Sequence, residues 1–395
     1  MYHTKTLIGT LLFILLSLTL LLQSSLSPTL ISTSLHKSTN LFQPTPSSIP
    51  NIVHFVHLVG SKQTTSLDLP FRQFIAIYSA WYYLKPSNIF IHTDIPDNDI
   101  QHKIENTKSP YTRAIANIPG VQFKYHAPIT ETSTGNTIHE LPNQSDFVRT
   151  DVLQHYGGIY LDDDAYVLRD LSPLRNLPYQ NIVGRQGGGQ ICPAVLLAAP
   201  HNKLMSAYHA LQDRIFDGEW QTHATTLLTA LVRDFQNPDG QVLVLDQETF
   251  FPLSWMHDDL VTLYGVNEHS VVDDDKVGDN RSTPMENLTE FVENFYLQGL
   301  RESWKRDWRL SYVMHGWTTS LTRDLERLEE EDVFGEFGEG ITLEYVLAGR
   351  SNFAVAVGRA VRHAVERGVL DHVGNMSTVF GGGEEEKGGE LRSLV

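Results

Sequence analysis

From Asn51 to Pro200 short apolar runs alternate with stretches whose apolar residues recur at helical spacing. "NIVHFVHLV" (51–59) and "NIFIHTD" (88–94) are β-branched and hydrophobic, the pattern of buried strands. "PFRQFIAIYSAWYYLKP" between them reads as a helix, with Pro70 in its first turn and Pro86 just past its end. Strand, helix, strand predicts two parallel neighbours joined by a crossover. Further strands are expected at 121–126, 158–162, 181–185 and 194–200, and helices at 145–156, 201–216, 222–236, 285–299 and 351–370. The last helix sets Phe353, Val357, Val361, Ala364 and Val365 on one apolar face, with Arg359, Arg362 and Arg367 outside. It reads as packing on the main core, although its basic side would also suit an anionic membrane.

The ends of the chain differ from this middle. Thr6 to Leu22 carries no charge and follows Lys5, which predicts a signal anchor a little under the roughly 20 residues that span a bilayer. Residues 1–5 would then be cytosolic and everything after Gln23 luminal. A cleaved signal peptide is the other reading, but "QSSLSPTL" offers serines in place of an A-x-A site. Residues 23–50 are rich in Ser, Thr and Pro and read as an unfolded stem. Residues 51–325 form the expected main domain, 326–380 a helical extension and 381–395 a low-complexity tail. N-x-[ST] triplets at Asn143, Asn280, Asn287 and Asn375 are compatible with a luminal chain.

Charge and cysteine content narrow the function. A net charge of −17 repels phosphate backbones, and no basic run interleaved with aromatics appears, which excludes nucleic acid as a partner. Cys192 is the lone cysteine, so neither an intrachain disulfide nor a thiolate zinc site can form.

The candidate chemistry lies in "SDFVRTDVLQHYGGIYLDDDAYVL". Ser145 is the expected N-cap of a helix that Gly157 and Gly158 terminate, and "IYL" reads as a core strand. Asp146 and Arg149 lie roughly 12 to 17 Å back along the helix. Asp162 and Asp164 lie roughly 13 to 20 Å forward along the strand. If the two elements run antiparallel, all four side chains meet at the carboxyl edge of the sheet, where open α/β folds bind ligands. Strand alternation sends Asp162 and Asp164 to one side and Asp163 to the other. Two carboxylates on one side suit Mg²⁺ or Mn²⁺, and a bound cation would neutralise their repulsion and admit an anionic phosphate. A solvated acidic turn is the bland alternative. "VVDDDKVGDN" (271–280) holds three aspartates without the helix, Gly-Gly pair or strand, and reads as a loop. "RQGGGQICPAV" lacks the Lys-Ser/Thr of a phosphate-binding loop, leaving Gly187–Gly189 as a mobile acceptor-side loop or a plain turn.

This stretch resembles the signature of retaining glycosyltransferases of the DXD type, specifically family 32, which includes fungal Golgi α-1,6-mannosyltransferases and inositol-phosphoceramide mannosyltransferases. The resemblance implies a GT-A-like, Rossmann-type mixed sheet flanked by helices in residues 51–325, behind an N-terminal membrane anchor. It implies that Asp162 and Asp164 hold Mn²⁺ (or Mg²⁺) and the donor, with Arg149 in the catalytic set and Asp146 and Arg149 at the donor sugar. Asp163 and His57 join the substrate-binding set, and His57 lies in "IPNIVHFVHL", which is similar to the family's first strand, whose loop faces the nucleotide. "YVMHGWTTSL" (312–321) resembles the family's late histidine motif and makes His315 a third metal ligand or diphosphate contact. That motif closes with Ser-Trp, whereas Ser320 is followed here by Leu321. His54, His57 and His155 also fit satisfied structural histidines.

Such an enzyme would take a hexose from a nucleotide-sugar donor, with GDP-mannose first and a UDP-hexose as alternative, to a glycan or glycolipid acceptor. The expected place is the Golgi or ER membrane, with the catalytic domain luminal. Partner subunits are not specified by these residues. A metal-dependent phosphohydrolase would also use strand-end aspartates, but the haloacid-dehalogenase kind wants Thr where Tyr166 stands. A tethered nucleotide-sugar-binding protein without turnover is the third reading.

Overall fold

The computed structural model describes residues 49–60, 66–235, 241–267, 304–338 and 340–370. The expected anchor at 6–22, nearly all of the stem, the 271–280 aspartates, the 285–299 helix and the 381–395 tail lie outside the described residues. No helix among the described residues is long and apolar enough to cross a membrane.

The core is a seven-stranded sheet in the order β3-β2-β1-β4-β7-β6-β8. Its strands are β1 Ile52–Val56, β2 Asn88–Thr93, β3 Val121–Tyr125, β4 Gly158–Leu161, β6 Asn181–Arg185, β7 Ile191–Ala198 and β8 Val242–Leu245. β1 pairs in parallel with β2 and with β4, and the Phe71–Leu84 helix makes the expected crossover. β7 runs antiparallel to both β4 and β6. The sheet is therefore mixed. The chain steps outward from β1 to β3, then returns to lay β4 on the other side of β1. That reversal opens a crevice at the carboxyl ends of β1 and β4.

Alternation along the strands fills two layers. Val53, Phe55, Ile159 and Leu161 face the layer that holds the Phe71–Leu84 and Asn352–Glu366 helices. Val56, Tyr160 and Leu196 face the Leu141–Tyr156, Lys203–Ile215 and Leu227–Phe235 helices. Phe353, Val357 and Val361 share the first layer, so the C-terminal helix packs into the main core. β5 (Ala165–Val167) and β9 (Val313–His315) form a separate antiparallel pair.

Several expectations need correction. Ile49 is fully buried and its carbonyl accepts from Arg175 Nη1, so the stem gives way to the fold before residue 50. Ser145 is not an N-cap, because the helix starts at Leu141 with Pro142 in its first turn. The 222–236 helix opens as a π-turn, Thr222–Thr226, before regular helix at Leu227–Phe235. Asn143 is 3% exposed within its helix and is closed to glycosylation in the folded chain. Gly188 and Gly189 have φ of +83° and +84°, which lets the chain turn between β6 and β7.

Candidate active site

The Gly-Gly pair sets the geometry first. At Gly157, with φ +61°, a Cβ would lie 2.6 Å from Pro200, and at Gly158, with φ +107°, it would lie 2.5 Å from the Ile52 carbonyl oxygen. Only glycine lets the chain leave the helix and enter β4 so close to β1. β4 ends at Leu161; Asp162 N–H donates to Ala194 O at 2.9 Å, and Ala165 N–H donates back to Asp162 O at 2.9 Å. The three aspartates thus occupy a turn, and the turn, not strand alternation, separates Asp163 from its neighbours.

Asp162 and Asp164 are joined from two directions. Arg149 Nη2 lies 3.0 Å from Asp146 Oδ1 and 3.1 Å from Asp162 Oδ1, with its guanidinium 4.7 Å above the Tyr160 ring. Tyr160 Oη donates to Asp162 Oδ1 at 2.7 Å. From the other side, β5 pairs Ala165 with His315 on β9, which delivers the imidazole beside Asp164. Asp164 Oδ2 accepts from Thr318 N–H at 2.6 Å, and Asp164 O accepts from Gly316 N–H at 2.8 Å. Trp317 between them sits in the left-handed region at φ +53°, with its ring 4.3 Å from that of His315. A non-glycine residue there is strained, and the pairing of β5 with β9 holds it.

Ligand atoms of Asp162, Asp164 and His315 all lie within 4.8 Å of one another. His315 Nε2 is 3.0 Å from Asp164 Oδ1 and 3.7 Å from Asp162 Oδ2, while its buried Nδ1 has no hydrogen-bond partner. An imidazole nitrogen that points at two carboxylates at this range can share a divalent cation with them once it gives up its proton, so the residues fit such an ion. Burial disfavours imidazolium, but Asp164 and Asp162 outweigh it and raise His315 to about 10. Asp162 is held well below the carboxylate range: burial opposes ionisation, and Arg149 and His315 overcome it. The Asp162 side chain is 25% exposed against 8% for Asp164 and His315, so the cluster opens to solvent through Asp162.

The remaining expected residues stand apart from this trio. Asp163 accepts a hydrogen bond from Gln73 on the Phe71–Leu84 helix, and burial with the nearby Asp164 and Asp162 raises it to about 6. His57 follows β1 at the same edge of the sheet, half-buried, with its N–H donating to His92 O. Burial lowers His57 to about 4 against the pull of Asp94. His54 is fully buried between His92 and Gly157 and is structural.

His223 escaped the sequence reading. It is fully buried in the π-turn, its Nε2 lies 3.0 Å from Asp146 Oδ2, and its ring stacks on Phe147. His223, Asp146, Arg149 and Asp162 form one relay into the metal-ligand cluster. A lone histidine 77 positions from its partner leaves no spacing signal; the one cue was its place before a strongly apolar helical run.

Residues 85–183 match the family described as the glycosyltransferase sugar-binding region containing a DXD motif, which takes in Asp146, Arg149 and Asp162–Asp164. The chain is 24% identical over 236 residues to glucan organizing enzyme 1 of Cryptococcus neoformans var. grubii, covering 56% of this chain and 59% of that protein. Among solved structures, the PaToxG glycosyltransferase aligns at 14% identity and a TM-score of 0.35, over 52% of this chain and 76% of that one. The apo form of glycosyltransferase GlyE from Streptococcus pneumoniae aligns at 12% identity and 0.34, over 70% and 64%. Residues 85–183 are thus similar to the sugar-binding region of glycosyltransferases of the DXD class. Within that class the chain resembles family 32.

Proposed function

We propose that the protein is a metal-dependent retaining glycosyltransferase that moves a hexose, mannose from GDP-mannose in the first instance, to a hydroxyl of a glycan or glycolipid. The observation that carries this reading is the meeting of Asp162, Asp164 and His315 within 4.8 Å, beside a buried arginine. Two carboxylates and one imidazole favour Mn²⁺ over Mg²⁺, because nitrogen donors suit the transition metal, and three protein ligands leave positions for diphosphate oxygens and water. A cation held there would supply Lewis-acid stabilisation of the charge on the departing diphosphate.

The protein's own groups do the positioning. Arg149, fixed by Asp146 and Asp162 and stacked on Tyr160, is a preorganised cation for the donor phosphate or sugar. Asp146, braced by His223, offers acceptor oxygens for sugar hydroxyls. In the transfer, the acceptor oxygen bonds to the anomeric carbon, the bond from that carbon to the diphosphate oxygen breaks, and the hydroxyl proton leaves with the nucleoside diphosphate. Retention is compatible with a covalent intermediate or with same-face attack. The uncharged run from Thr6 to Leu22 after Lys5 supports a type II anchor and a luminal domain in the Golgi or ER. The name of the Cryptococcus relative refers to glucan, which keeps UDP-hexoses in the donor panel.

The test is nucleotide release by the full chain with Mn²⁺ across a panel of GDP- and UDP-sugars. Metal-dependent release from one hexose donor, increased by an acceptor, is expected. Release from none of them overturns the reading. Hydrolysis of simple phosphate esters without an acceptor would point to a phosphohydrolase instead.

A further inference from the structure

The β6–β7 hairpin projects past the sheet edge that carries Asp162. Asp162 N–H closes a rung with Ala194, so Ile191 at the start of β7 and Arg185 opposite it on β6 lie beyond the end of β4. β6 is two strands from β4, a lateral step of roughly 10 Å. Between the hairpin and the Leu227–Phe235 helix is a cavity of about 350 Å³, lined in part by Arg185, Gln190, Thr226, Thr229 and Arg233. Its size is at the lower end of small-ligand clefts. Thr226 ends the π-turn that contains His223, so one wall is continuous with the turn that braces Asp146.

The cavity's charge runs against that of the chain. Acidic residues outnumber basic ones by 47 to 30 overall, yet the lining holds two arginines and no carboxylate. Arg185 Nη1 donates to Gly189 O at 2.8 Å, and Ile191 N–H donates to Thr229 Oγ1 at 2.9 Å, tying hairpin to helix and holding one guanidinium against the hairpin turn. Arg233 has 81% of its side chain exposed, with Asp234 4.0 Å away, an ion pair of little strength.

We propose that this cavity is the acceptor subsite and that it takes a sugar acceptor carrying an anionic group, phosphate or carboxylate, near the hydroxyl that is glycosylated. The assignment rests on the glycosyltransferase reading, which requires an acceptor to approach the donor at this edge. Arg185 and Arg233 bind the anion, which is unchanged by the transfer, while Gln190, Thr226 and Thr229 offer hydrogen bonds to the ring. Two guanidiniums recognise phosphate or carboxylate more strongly than a neutral sugar hydroxyl.

The test is transfer by the full chain, using Mn²⁺ and the nucleotide sugar that gives fastest release, to three acceptors: a methyl hexoside, its 6-phosphate and the corresponding methyl hexuronide. A KM at least about tenfold lower for a charged acceptor than for the neutral one is expected, collapsing toward about twofold in Arg185→Gln/Arg233→Gln. The phosphate and hexuronide arms identify which anion is preferred, and inorganic phosphate should compete with the charged acceptor. If the double variant fails to fold, Arg233→Gln alone, at an exposed position, carries the test with a smaller loss of discrimination. Equal or better use of the neutral hexoside, or discrimination that survives removal of both arginines, overturns the acceptor assignment and leaves the donor site standing. No release from any donor removes the glycosyltransferase reading, and the acceptor assignment with it.

Discussion

His54 and His315 are both buried and each lies beside other ionisable groups, but their surroundings are opposite. His54 Nε2 faces the Gly157 carbonyl at 2.9 Å and so carries the proton, which leaves Nδ1 to accept from His92 Nε2 at 3.0 Å. Both nitrogens are spent on neutral partners, and burial lowers the imidazole to about 4. His315 turns Nε2 toward two carboxylates, leaves Nδ1 without a partner and is raised to about 10. An unspent buried polar group costs about 1–3 kcal/mol. The β5–β9 pair holds His315 in that state beside Asp162 and Asp164. A satisfied imidazole supports the sheet, whereas an unsatisfied one among carboxylates is arranged to receive a ligand.

Replacing a residue in each region tests that contrast. Asp164→Ala removes a carboxylate from the cation cage, and a loss of about 10³-fold in transfer rate is expected, equivalent to about 4 kcal/mol. Steady-state kinetics on a variant with native circular dichroism checks it. His54→Gln should leave turnover within about threefold and act on acid stability instead. Above pH 6.5 His54 is neutral folded or unfolded, so its contribution is complete. As pH falls from 6.5 toward 4 the unfolded chain takes up a proton that the folded chain refuses, and stability declines by about 3 kcal/mol. Urea denaturation across that range should be flatter in His54→Gln, with His57 and His92, also lowered by burial, retaining their shares.

Arg149→Lys keeps the charge but loses the planar guanidinium that stacks on Tyr160 while its Nη2 bridges Asp146 and Asp162, and about a 10²-fold fall in kcat/KM is expected. His223→Ala releases Asp146 from one side, for about a tenfold fall that His223→Gln partly restores. If the alanine and glutamine variants are equally impaired, bracing of Asp146 is not the role of His223.

The centre of the sheet was legible because periodicity reports burial. Asn181–Arg185 falls where "NIVGR" predicts it, and β1, the crossover helix and β2 follow the spacing of their apolar residues. The helix–glycine–strand distances also anticipated that Asp146, Arg149, Asp162 and Asp164 converge. β5, β8 and β9 escaped because three- and four-residue strands carry too few alternations. The Asp162–Asp164 turn was mistaken for strand because Gly158–Leu161 is apolar up to its last residue. The place of Ser145 was misjudged because Pro142, which can occupy a first helical turn, outweighs a serine three residues later. Long-range pairings such as His223 with Asp146 depend on tertiary contact and leave no local trace.

The most direct test is Mn²⁺ titration followed by electron paramagnetic resonance, in which free ion gives the signal and bound ion removes it. The full chain should bind one Mn²⁺ tightly, Asp162→Ala/Asp164→Ala and His315→Ala should lose that site, and His54→Gln should retain it. Undiminished binding after removal of both aspartates, or equal loss in His54→Gln, would contradict the assignment of the cation to this turn.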